Sequence, residues 1–551
     1  MKSTKRDKFQ SILFDFDFTK EKKLEVVQTS QNRISDLRIK DMSKDMSPMS
    51  DMSIEENGEG TNLRSEQIII SKESYPSIAD KNSILASIDN ISRCSHKSKN
   101  LFNQSLFQIR QAFFGKMNDC KDEKEKELRI KIRSALNKFK ENGFNYKNAV
   151  YKLLDKYFKN QGNESDNYSW SAQAAQQTIN SAVEAWYDYD LAREDYEKHP
   201  EKYTGRPKIP KYRKGSEYIA VFTNQQCKVE TKNVFVPESI QSERIRYVKK
   251  NFVTFPDHLR IKPIETRLSD KDGDLREVRI VPQIKKGCYK VELVYRKVID
   301  KEKIRELNLD PLRVIGIDTG QENIVTIANN IGSSPIVIKG GVLLAINQWF
   351  DKIGSKLYSV YYRQQKTVEG KTVPIGAKMR NLSFNRKNLV LDILHKISRF
   401  IVNYCVNNRI GTIVWGRNPG WKQNISIGKR NNQKFTKIPH YLLFKMLKYK
   451  SEENGIRVID VEESWTSKCS FLDQEPIGHK DKYVGRRIKR GLFRSSLGII
   501  INADVNAAYN LIRKVFPEAF RTIGIGGVVL HPERLSIKDL LSNRPAIVNL
   551  R

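Results

Sequence analysis

The sequence has 551 residues, which is too long for a single hydrophobic core and indicates several domains. Lys and Arg number 98 against 64 Asp and Glu, so the net charge at pH 7 is +34. A charge of this size is costly on a compact protein unless a polyanion covers it, which makes nucleic acid the expected partner. The 39% of hydrophobic residues excludes a wholly disordered chain.

The sequence contains no run of about 18 apolar residues, so it predicts neither a membrane-spanning helix nor a membrane partner. Asp15 and Asp17 interrupt the apolar patch of the basic N-terminal segment, which argues against a signal peptide. We therefore expect an intracellular protein, in the cytoplasm or nucleoid of a prokaryote or in the nucleus of a eukaryote.

The first two hundred residues change from low complexity to helical periodicity. Residues 1–65 include the repetitive stretch DMSKDMSPMSDMS, which predicts a disordered N-terminal arm. The EQIII run predicts a first strand of a β domain within residues 66–80. Apolar residues then recur at helical spacing over residues 81–204, and the aromatic residues there either stack on bases or fill a core.

The stretch GRPKIPKYRKG, residues 205–215, combines cations with two prolines that favour an extended backbone. Its cations are Arg206, Lys208, Lys211 and Arg213. An extended backbone would align them on one path, as expected of a segment that follows nucleic-acid phosphates. Short alternating runs after it predict a small antiparallel β domain that ends near residue 300.

Two aspartates occupy positions that suit metal chemistry. Asp318 ends the apolar strand of RVIGIDTG, where it either carries chemistry or forms a turn. Asp504 begins the alanine-rich helix of IINADVNAAYNLIRKV, where it either carries chemistry or caps the helix. Two carboxylates brought together by a sheet can bind Mg²⁺ or Mn²⁺ for phosphodiester hydrolysis, and such a site normally needs a third carboxylate.

Two strands between these motifs could supply the third carboxylate. The strand of TIVWGRN ends at Gly416, which has no side chain to offer. In GIRVIDVEESWTSKCS the period of two places Ile459 and Val461 on the same face as Glu463. Glu462 points the other way unless a bulge intervenes, so the choice between the two glutamates depends on this phase.

Four motifs resemble, in order, the RuvC-type nuclease of the TnpB family of transposon-encoded RNA-guided endonucleases, which are related to Fanzor proteins and compact type V CRISPR effectors. The motifs are VIGIDTG, SRFIVNYCVNNRIGTIVWG, EESWTSK and NADVNAAYN. The resemblance covers about residues 313–515. It implies that Asp318 and Asp504 are catalytic and bind Mg²⁺ or Mn²⁺.

The resemblance departs from the usual family pattern at the middle strand, where a glutamate is expected and Gly416 stands. Some TnpB branches and the Fanzor proteins look similar in placing a substitute glutamate just before a T-S-K segment. By that resemblance the third catalytic and metal-binding residue is Glu463, the same residue that the strand phase selects.

The resemblance implies a multidomain α/β protein with an RNase H-like (RuvC) mixed-sheet nuclease, a helical recognition region and a β-barrel-like wedge domain. The expected segments are an arm at 1–65, a wedge strand at 66–80, the recognition region at 81–204, the wedge at 205–300, the nuclease at 301–466, a basic insert at 467–499, the last nuclease helix at 500–520 and a tail at 521–551.

The insert replaces the C-x-x-C pairs that many relatives carry. Cys469 stands alone there, and none of the six cysteines forms a C-x-x-C pair, so we expect no zinc. The cations of the insert that we expect to bind nucleic acid are Arg486, Arg487, Lys489, Arg490 and Arg494. Either Arg490 or Arg494 is expected to approach the cleaved phosphate.

Two further segments are candidate nucleic-acid contacts. Trp421 and Lys422 follow the middle strand and could stack on a strand and pair with its phosphates, or Trp421 could pack under its own loop. The other segment is MRNLSFNRKN, whose cations Arg380, Arg386 and Lys387 suit an RNA or heteroduplex backbone.

The sequence therefore predicts an RNA-guided DNA endonuclease encoded by a transposable element, with a guide RNA and double-stranded and single-stranded target DNA as partners. It would cleave by metal-activated attack of water on phosphorus. The alternative is an RNA-guided DNA-binding regulator without nuclease activity, and a third reading is a DNA-strand transferase. The sequence gives no oligomeric state.

Overall fold

The computed structural model describes residues 29–30, 61–71, 78–161, 170–203, 205–237, 245–269, 273–298, 300–364, 376–417 and 438–540. The chain divides into two compact units, Met1–Val298 and Ile299–Arg551. Trp421 and Lys422 lie outside the described residues, as does most of the segment 1–65. None of the helices in the described ranges is both apolar enough and long enough to span a bilayer.

In the ranges that the structure describes, the helical region of the first unit contains four α-helices: α1 (Ile78–Phe113), α2 (Glu123–Asn142), α3 (Lys147–Asn160) and α4 (Ala172–Lys198). Side-chain caps fix two of their starts. Asp122 accepts a hydrogen bond from the Glu125 amide at 2.7 Å, and Ser171 accepts one from the Ala174 amide at 3.1 Å. Gly143 ends α2 with a left-handed φ of 71°, which glycine adopts without strain.

Among its described residues, the β part of the first unit contains eight strands: β1 (Thr29–Ser30), β2 (Thr61–Ser71), β3 (Ala220–Thr223), β4 (Lys228–Pro237), β5 (Ile245–Thr254), β6 (Ile264–Thr266), β7 (Asp274–Pro282) and β8 (Cys288–Val298). They form two sheets, ordered β1-β2-β8-β7-β3 and β4-β5-β6, with antiparallel pairing throughout. The carboxylate of buried Glu66 joins the sheets, because it accepts hydrogen bonds from Thr266 Oγ1 and from the Arg267 amide at 2.9 Å.

Strand β2, the predicted first wedge strand, differs from its predicted bounds of 66–80. It spans 61–71, and α1 already begins at Ile78. The prediction of a disordered arm is therefore wrong for residues 61–65, which pair with β8 from Thr61 opposite Val298 onward. Backbone hydrogen bonds to β8, rather than the short apolar run, set the length of this strand. Such hydrogen bonds leave no pattern in a polar stretch of sequence, so the sequence could not predict them.

The second unit contains β9 (Asp310–Thr319), β10 (Asn323–Asn329), β11 (Ile336–Lys339), β12 (Ile410–Arg417), β13 (Arg457–Glu462), β14 (Arg486–Lys489), β15 (Leu492–Arg494), β16 (Ile500–Asn502) and β17 (Glu533–Leu535). Its helices are α5 (Lys301–Glu306), α6 (Gly341–Gln364), α7 (Ala377–Asn407), α8 (His440–Glu452) and α9 (Ala503–Val515).

The main sheet of this unit is mixed, with the order β13-β12-β9-β10-β11-β17. Strands β9, β10 and β11 form an antiparallel meander, whereas β12 and β13 run parallel to β9. The region 521–551 is not merely a tail, because β17 pairs in parallel with β11 and Ile537 is buried in the same core. A three-residue strand carries too little alternation to be predicted from sequence.

Alternation along β9 and β12 separates the two faces of the sheet. Ile317 and Trp415 pack with α7 and α8 on one face, while Val314 and Val414 pack with α9 on the other. Gly316 lies on the α9 face, where a side chain would overlap the carbonyl oxygen of Ala508. This close approach holds the helix that carries Asp504 against the strand that carries Asp318.

Candidate active site

Asp318 lies near the end of β9, on the face that α9 covers. Its strand neighbour Thr326 is on β10, and its side chain is partly buried. Burial raises the pKa of Asp318 well above its usual range, and the nearby carboxylates of Glu463 and Asp504 raise it further. Arg487 opposes this shift. The four side chains are therefore close enough to interact electrostatically.

Glu463 follows the last residue of β13. Because Gly416 pairs with Val461 and the Glu463 amide donates to Arg417 O at 3.3 Å, the chain leaves β13 directly beside the end of β12. A Cβ atom on Gly416 would lie 2.7 Å from both Cγ and Oε1 of Glu463. The glutamate therefore fills the space left by the missing side chain, and burial raises its pKa to about 7.

Glu462 points away from this site. Its side chain is exposed and accepts a hydrogen bond from Ser464 Oγ. Its carbonyl oxygen accepts a hydrogen bond from Lys514 Nζ at 2.7 Å. The structure thus places Glu463, and not Glu462, beside Asp318, without a bulge.

Asp504 lies in the first turn of α9, but it is not the cap of that helix. Asn502 takes that role, since its side-chain oxygen accepts hydrogen bonds from the Asp504 and Val505 amides at 3.0 and 3.1 Å. The Asp504 carboxylate accepts a hydrogen bond from Asn323 Nδ2 at 2.7 Å and lies 3.7 Å from an Arg487 guanidinium nitrogen. Because Asn502 caps the helix, the Asp504 carboxylate is available to the candidate site.

Asn323 is a site residue that the sequence did not single out. It begins β10, immediately after the turn that follows Asp318, and reaches Asp504 across a long stretch of sequence. The only local signal is an amide side chain at the start of a strand that leaves a candidate catalytic turn. Its contact with Asp504 orients one carboxylate oxygen and leaves the other toward Arg487.

Three buried or partly buried carboxylates form a donor set suited to Mg²⁺ or Mn²⁺, which prefer oxygen ligands. Burial raises the pKa values of both Asp318 and Glu463, and the neighbouring carboxylates raise that of Asp318 further. Across the described ranges, however, no three His, Cys, Asp or Glu side chains stand close enough to hold a metal ion as they are. The donor chemistry fits the ion, and ligation requires these side chains to draw together.

The basic insert contributes one arginine to this site. Arg487, which is half-exposed on β14, pairs with Asp504 at 3.7 Å. Arg490 instead pairs with Glu322 at 2.9 Å, and Arg494 lies on β15 opposite Arg486. Arg487 is thus the arginine of the insert with a described contact to a site carboxylate, while the approach of Arg490 or Arg494 to the cleaved phosphate stays a prediction.

The insert 467–499 is organised around a buried carboxylate. Glu475 accepts hydrogen bonds from the Ser470 amide at 2.8 Å, the Val484 amide at 3.1 Å and Lys480 Nζ at 3.2 Å. These contacts close the loop that precedes β14. Two buried amides of α9 hold the other end, since Asn506 and Asn510 both donate to the carbonyl oxygen of Cys469.

The remaining candidate nucleic-acid residues are not part of the carboxylate site. Arg206, Lys208, Lys211 and Arg213 lie in an irregular exposed segment along α1, where Arg213 stacks on Phe102 and Tyr218 at 4.8 Å. Arg380, Arg386 and Lys387 lie on α7. Arg386 donates to Asn347 Oδ1 at 2.8 Å and lies over Phe350, so its guanidinium also serves helix packing.

Comparisons with known proteins match both halves of the site. Residues 296–421, which contain Asp318, match the family model described as a probable transposase. Residues 440–511, which contain Glu463 and Asp504, match the model described as the Cas12f1-like TNB domain.

A curated relative is the CRISPR-associated endodeoxyribonuclease Cas12f1 of Sulfoacidibacillus thermotolerans, which is 33% identical over 133 residues. The alignment covers 23% of this chain and only 28% of that relative.

Similar solved structures include the cryo-EM structure of a Cas12f1-sgRNA-target DNA complex, at 16% identity and a TM-score of 0.41, covering 77% of this chain and 82% of that chain. Another is a cryo-EM structure of a CRISPR-Cas12f ternary complex, at 13% identity and a TM-score of 0.26, covering 79% of this chain and 81% of that chain. Through the two matched domain models and the Cas12f1 alignment, the nuclease segments of this chain are similar to the TnpB-like, compact type V RuvC nucleases.

Proposed function

We propose that this protein is an RNA-guided DNA endonuclease of transposon origin, which hydrolyses phosphodiester bonds of its target with Asp318, Glu463 and Asp504. The observation that carries the proposal is the insertion of Glu463 into the space over Gly416, in electrostatic contact with Asp318. The similarity of both segments to this family and the name of the aligned relative, an endodeoxyribonuclease, support the same reaction class.

In this proposal the three carboxylates hold Mg²⁺ or Mn²⁺. Such ions, when bound, activate the attacking water and stabilise charge on the cleaved phosphate. Asn323 keeps the Asp504 carboxylate in a fixed orientation through its 2.7 Å hydrogen bond. Arg487 exchanges its contact with Asp504 for the scissile phosphate, because a guanidinium is a donor well suited to phosphate oxygens.

We propose a guide RNA as one partner and target DNA, paired and then unpaired, as the other. The net charge of +34 is what a protein that holds two polyanions requires. Base pairing between guide and target would supply the sequence specificity, while the protein reads the backbone and a short flanking motif.

The second candidate function is an RNA-guided DNA-binding regulator that no longer cleaves. Gly416 favours it, because a glutamate is expected at that strand end by family resemblance. Against it stands the position of Glu463, whose side chain restores a carboxylate at the same place. A site that had lost its function would have no physical reason to keep three mutually repelling carboxylates together.

One experiment separates these functions. The full chain is purified with RNA transcribed from its own locus and is given Mg²⁺ and a target library with randomised flanks. Wild type and Glu462→Gln should cleave, whereas Glu463→Gln should bind the target without cleaving it. Cleavage by Glu463→Gln would overturn the site assignment, and guided binding without cleavage by wild type would favour the regulator.

A further inference from the structure

A basic cleft of about 1380 Å³ lies among α1, α2 and α3 of the first unit. Its lining cations are Arg93, Lys97, Lys121, Lys124, Lys131 and Lys156. Lys131 pairs with Glu127, one of the two acidic residues of the lining. Within the part of the chain that the structure describes, Arg93, Lys121, Lys124 and Lys156 form no ion pair, and six cations face two acids in the lining, so the cleft carries a net positive charge.

The cleft adjoins a smaller pocket of about 370 Å³, and the two share the side chains of Gln104, Lys121, Tyr157 and Gln161. The volume of the smaller pocket is within the range of about 300–1,000 Å³ that holds small organic ligands. The smaller pocket has a different chemistry, since four aromatic rings and four amides line it. The rings are those of Phe107, Tyr157, Phe158 and Tyr212, and the amides are those of Asn103, Gln104, Gln108 and Gln161.

Two of the aromatic rings of the pocket are exposed and yet held in place. Phe107 and Tyr212 are each 38% exposed. The Arg129 guanidinium lies 5.5 Å from the Phe107 ring, and the Arg110 guanidinium lies 4.8 Å from the Tyr212 ring. A cation that backs a ring from the protein side fixes it while leaving part of its surface available to a ligand.

The floor of the pocket is a satisfied polar network, which keeps the pocket from collapsing. Gln108 Nε2 donates to Glu125 Oε1 at 2.6 Å, and Arg129 Nε donates to Gln108 Oε1 at 2.9 Å. Both Glu125 and Arg129 are buried. Burial, together with the charges of Glu125 and Asp122, raises the pKa of Tyr157 to about 12. The protonated hydroxyl can therefore donate a hydrogen bond to a ligand.

We propose that this pocket binds one unstacked base of a single-stranded nucleic acid whose phosphates follow the adjoining basic cleft. Aromatic faces stack on any base, amides bond to the base edges, and cations neutralise the phosphates on either side. The inference rests on the proposed function in that the ligand is a nucleic acid. A duplex could lie along the cleft, but its paired and stacked bases could not enter the pocket.

The test compares oligonucleotides with and without bases on the purified full chain. Single-stranded RNA, single-stranded DNA and a fully abasic strand of equal length are titrated at several salt concentrations, with fluorescence anisotropy as the readout. Phe107→Ala should weaken binding of the base-bearing strands about tenfold, as expected for the loss of one stacked base, and should leave abasic binding unchanged. Phe107→Trp should restore binding.

Two comparison variants make the result specific. Lys156→Gln should weaken binding of abasic and base-bearing strands alike and reduce the salt dependence by about one charge. Phe144→Ala removes an aromatic side chain that is 44% exposed and does not line the pocket. It should therefore change neither the affinity for base-bearing strands nor the affinity for abasic strands. If Phe107→Ala does not fold, Tyr212→Ala tests the same pocket from an irregular segment.

The comparison of the RNA and DNA arms identifies which strand enters the pocket. Equal loss on abasic strands, or no loss on base-bearing strands, would overturn the proposal. Stronger binding of a duplex than of either single strand, with no effect of Phe107→Ala, would do the same. None of these readouts needs cleavage. The test of the pocket is therefore independent of the nuclease proposal, and either proposal can fail without the other.

Discussion

The side chain of Glu463 occupies the space that a side chain at Gly416 would need. A Cβ atom on the glycine would lie 2.7 Å from Glu463 Cγ and 2.8 Å from Leu511 Cδ1. Gly416 is on β12 and Glu463 directly follows the parallel neighbour β13, and the absence of a side chain at Gly416 is the condition for the position of the Glu463 side chain. This relationship makes residue 416 as important to the site as a residue that bears a carboxylate.

Gly416→Ala should therefore abolish or strongly reduce cleavage while preserving guided DNA binding. The added methyl group displaces the Glu463 carboxylate, and a displacement of about 1 Å at a reacting centre can cost about 10²-fold in rate. Cleavage rates of preassembled complexes measure the effect. Gly478→Ala is the matched control, because its Cβ would meet no atom within 4 Å. Equal activity of both variants would contradict the geometry.

Arg487→Ala should lower the cleavage rate about 10²- to 10³-fold with little change in target affinity. That range is typical for removal of one group that stabilises charge in the transition state. Arg490→Ala removes a guanidinium of the same hairpin that pairs with Glu322, so it should have a much smaller effect. Single-turnover cleavage and filter binding distinguish the two variants, and the reverse order of effects would assign the phosphate contact to Arg490.

Divalent metal should stabilise the second unit through the three carboxylates. Mn²⁺ added to protein that has been treated with a chelator should raise the melting temperature, since a ligand that binds only the folded state shifts unfolding by mass action. Glu463→Gln should remove most of this increase, whereas Glu462→Gln, whose side chain is exposed, should retain it. An increase that both variants share would place the ion elsewhere.

Glu475→Ala should loosen the insert that carries Arg487. The variant leaves the buried Ser470 amide and the partly buried Val484 amide without their acceptor, and a buried donor without a partner costs about 1–3 kcal/mol. Hydrogen exchange over residues 470–494 should accelerate, while exchange in β9 and β10 stays unchanged. Asp481→Ala, which removes an exposed acid from the same insert, should leave the exchange rates as they are.

The buried Lys450 should give the second unit a pH-dependent stability. Its ammonium donates to Ser398 Oγ at 2.7 Å and to His395 O at 2.9 Å, yet burial, and then Arg399, lower its pKa to about 7. Because the folded pKa lies below the unfolded one, the cost of the buried charge is fully present below pH 7. It disappears as the pH rises from about 7 towards the unfolded pKa of about 10.4.

Lys450→Met should therefore gain stability relative to wild type at pH 6 and lose that gain by pH 10. The difference should be on the order of a few kcal/mol, since one pKa unit corresponds to about 1.4 kcal/mol. Urea unfolding at the two pH values measures it. Lys448→Met, a neighbour on the same helix, controls for the loss of a lysine, and a gain independent of pH would show that the pKa of Lys450 is the same in the folded and unfolded states.

Local patterns drew attention to Asp318 and Asp504 but left a turn residue and a helix cap as equal alternatives, and the family resemblance supplied their expected catalytic role. The alternation of Ile459 and Val461 already selects Glu463, and the structure places its side chain beside Asp318. Arg487 and Asn323 could not be chosen in this way. Their contacts with Asp504 depend on the register of a hairpin and on strand pairing between distant segments, and neither leaves a periodic trace in the sequence.

The elements that the sequence missed are held by the backbone. Residues 61–65 join β8 through the ladder although their side chains show no apolar run, and β17 is fixed by pairing with β11. The Gly416 strand shows the opposite case. The sequence predicted that this strand is buried and where it ends. The pairing of β13 with β12 is what shows that the Glu463 side chain occupies the space beside Gly416.

For the proposed carboxylate site, the contact between Gly316 and α9 also sets when the site can form during synthesis of the chain. Asp318 is translated long before Asp504, and the strand that carries it holds no complete carboxylate set until α9 has packed over Gly316. A ribosome must therefore release most of the second unit before the site exists. Nascent chains that are still attached to their message would be unable to cut, whatever nucleic acid their earlier segments have already bound.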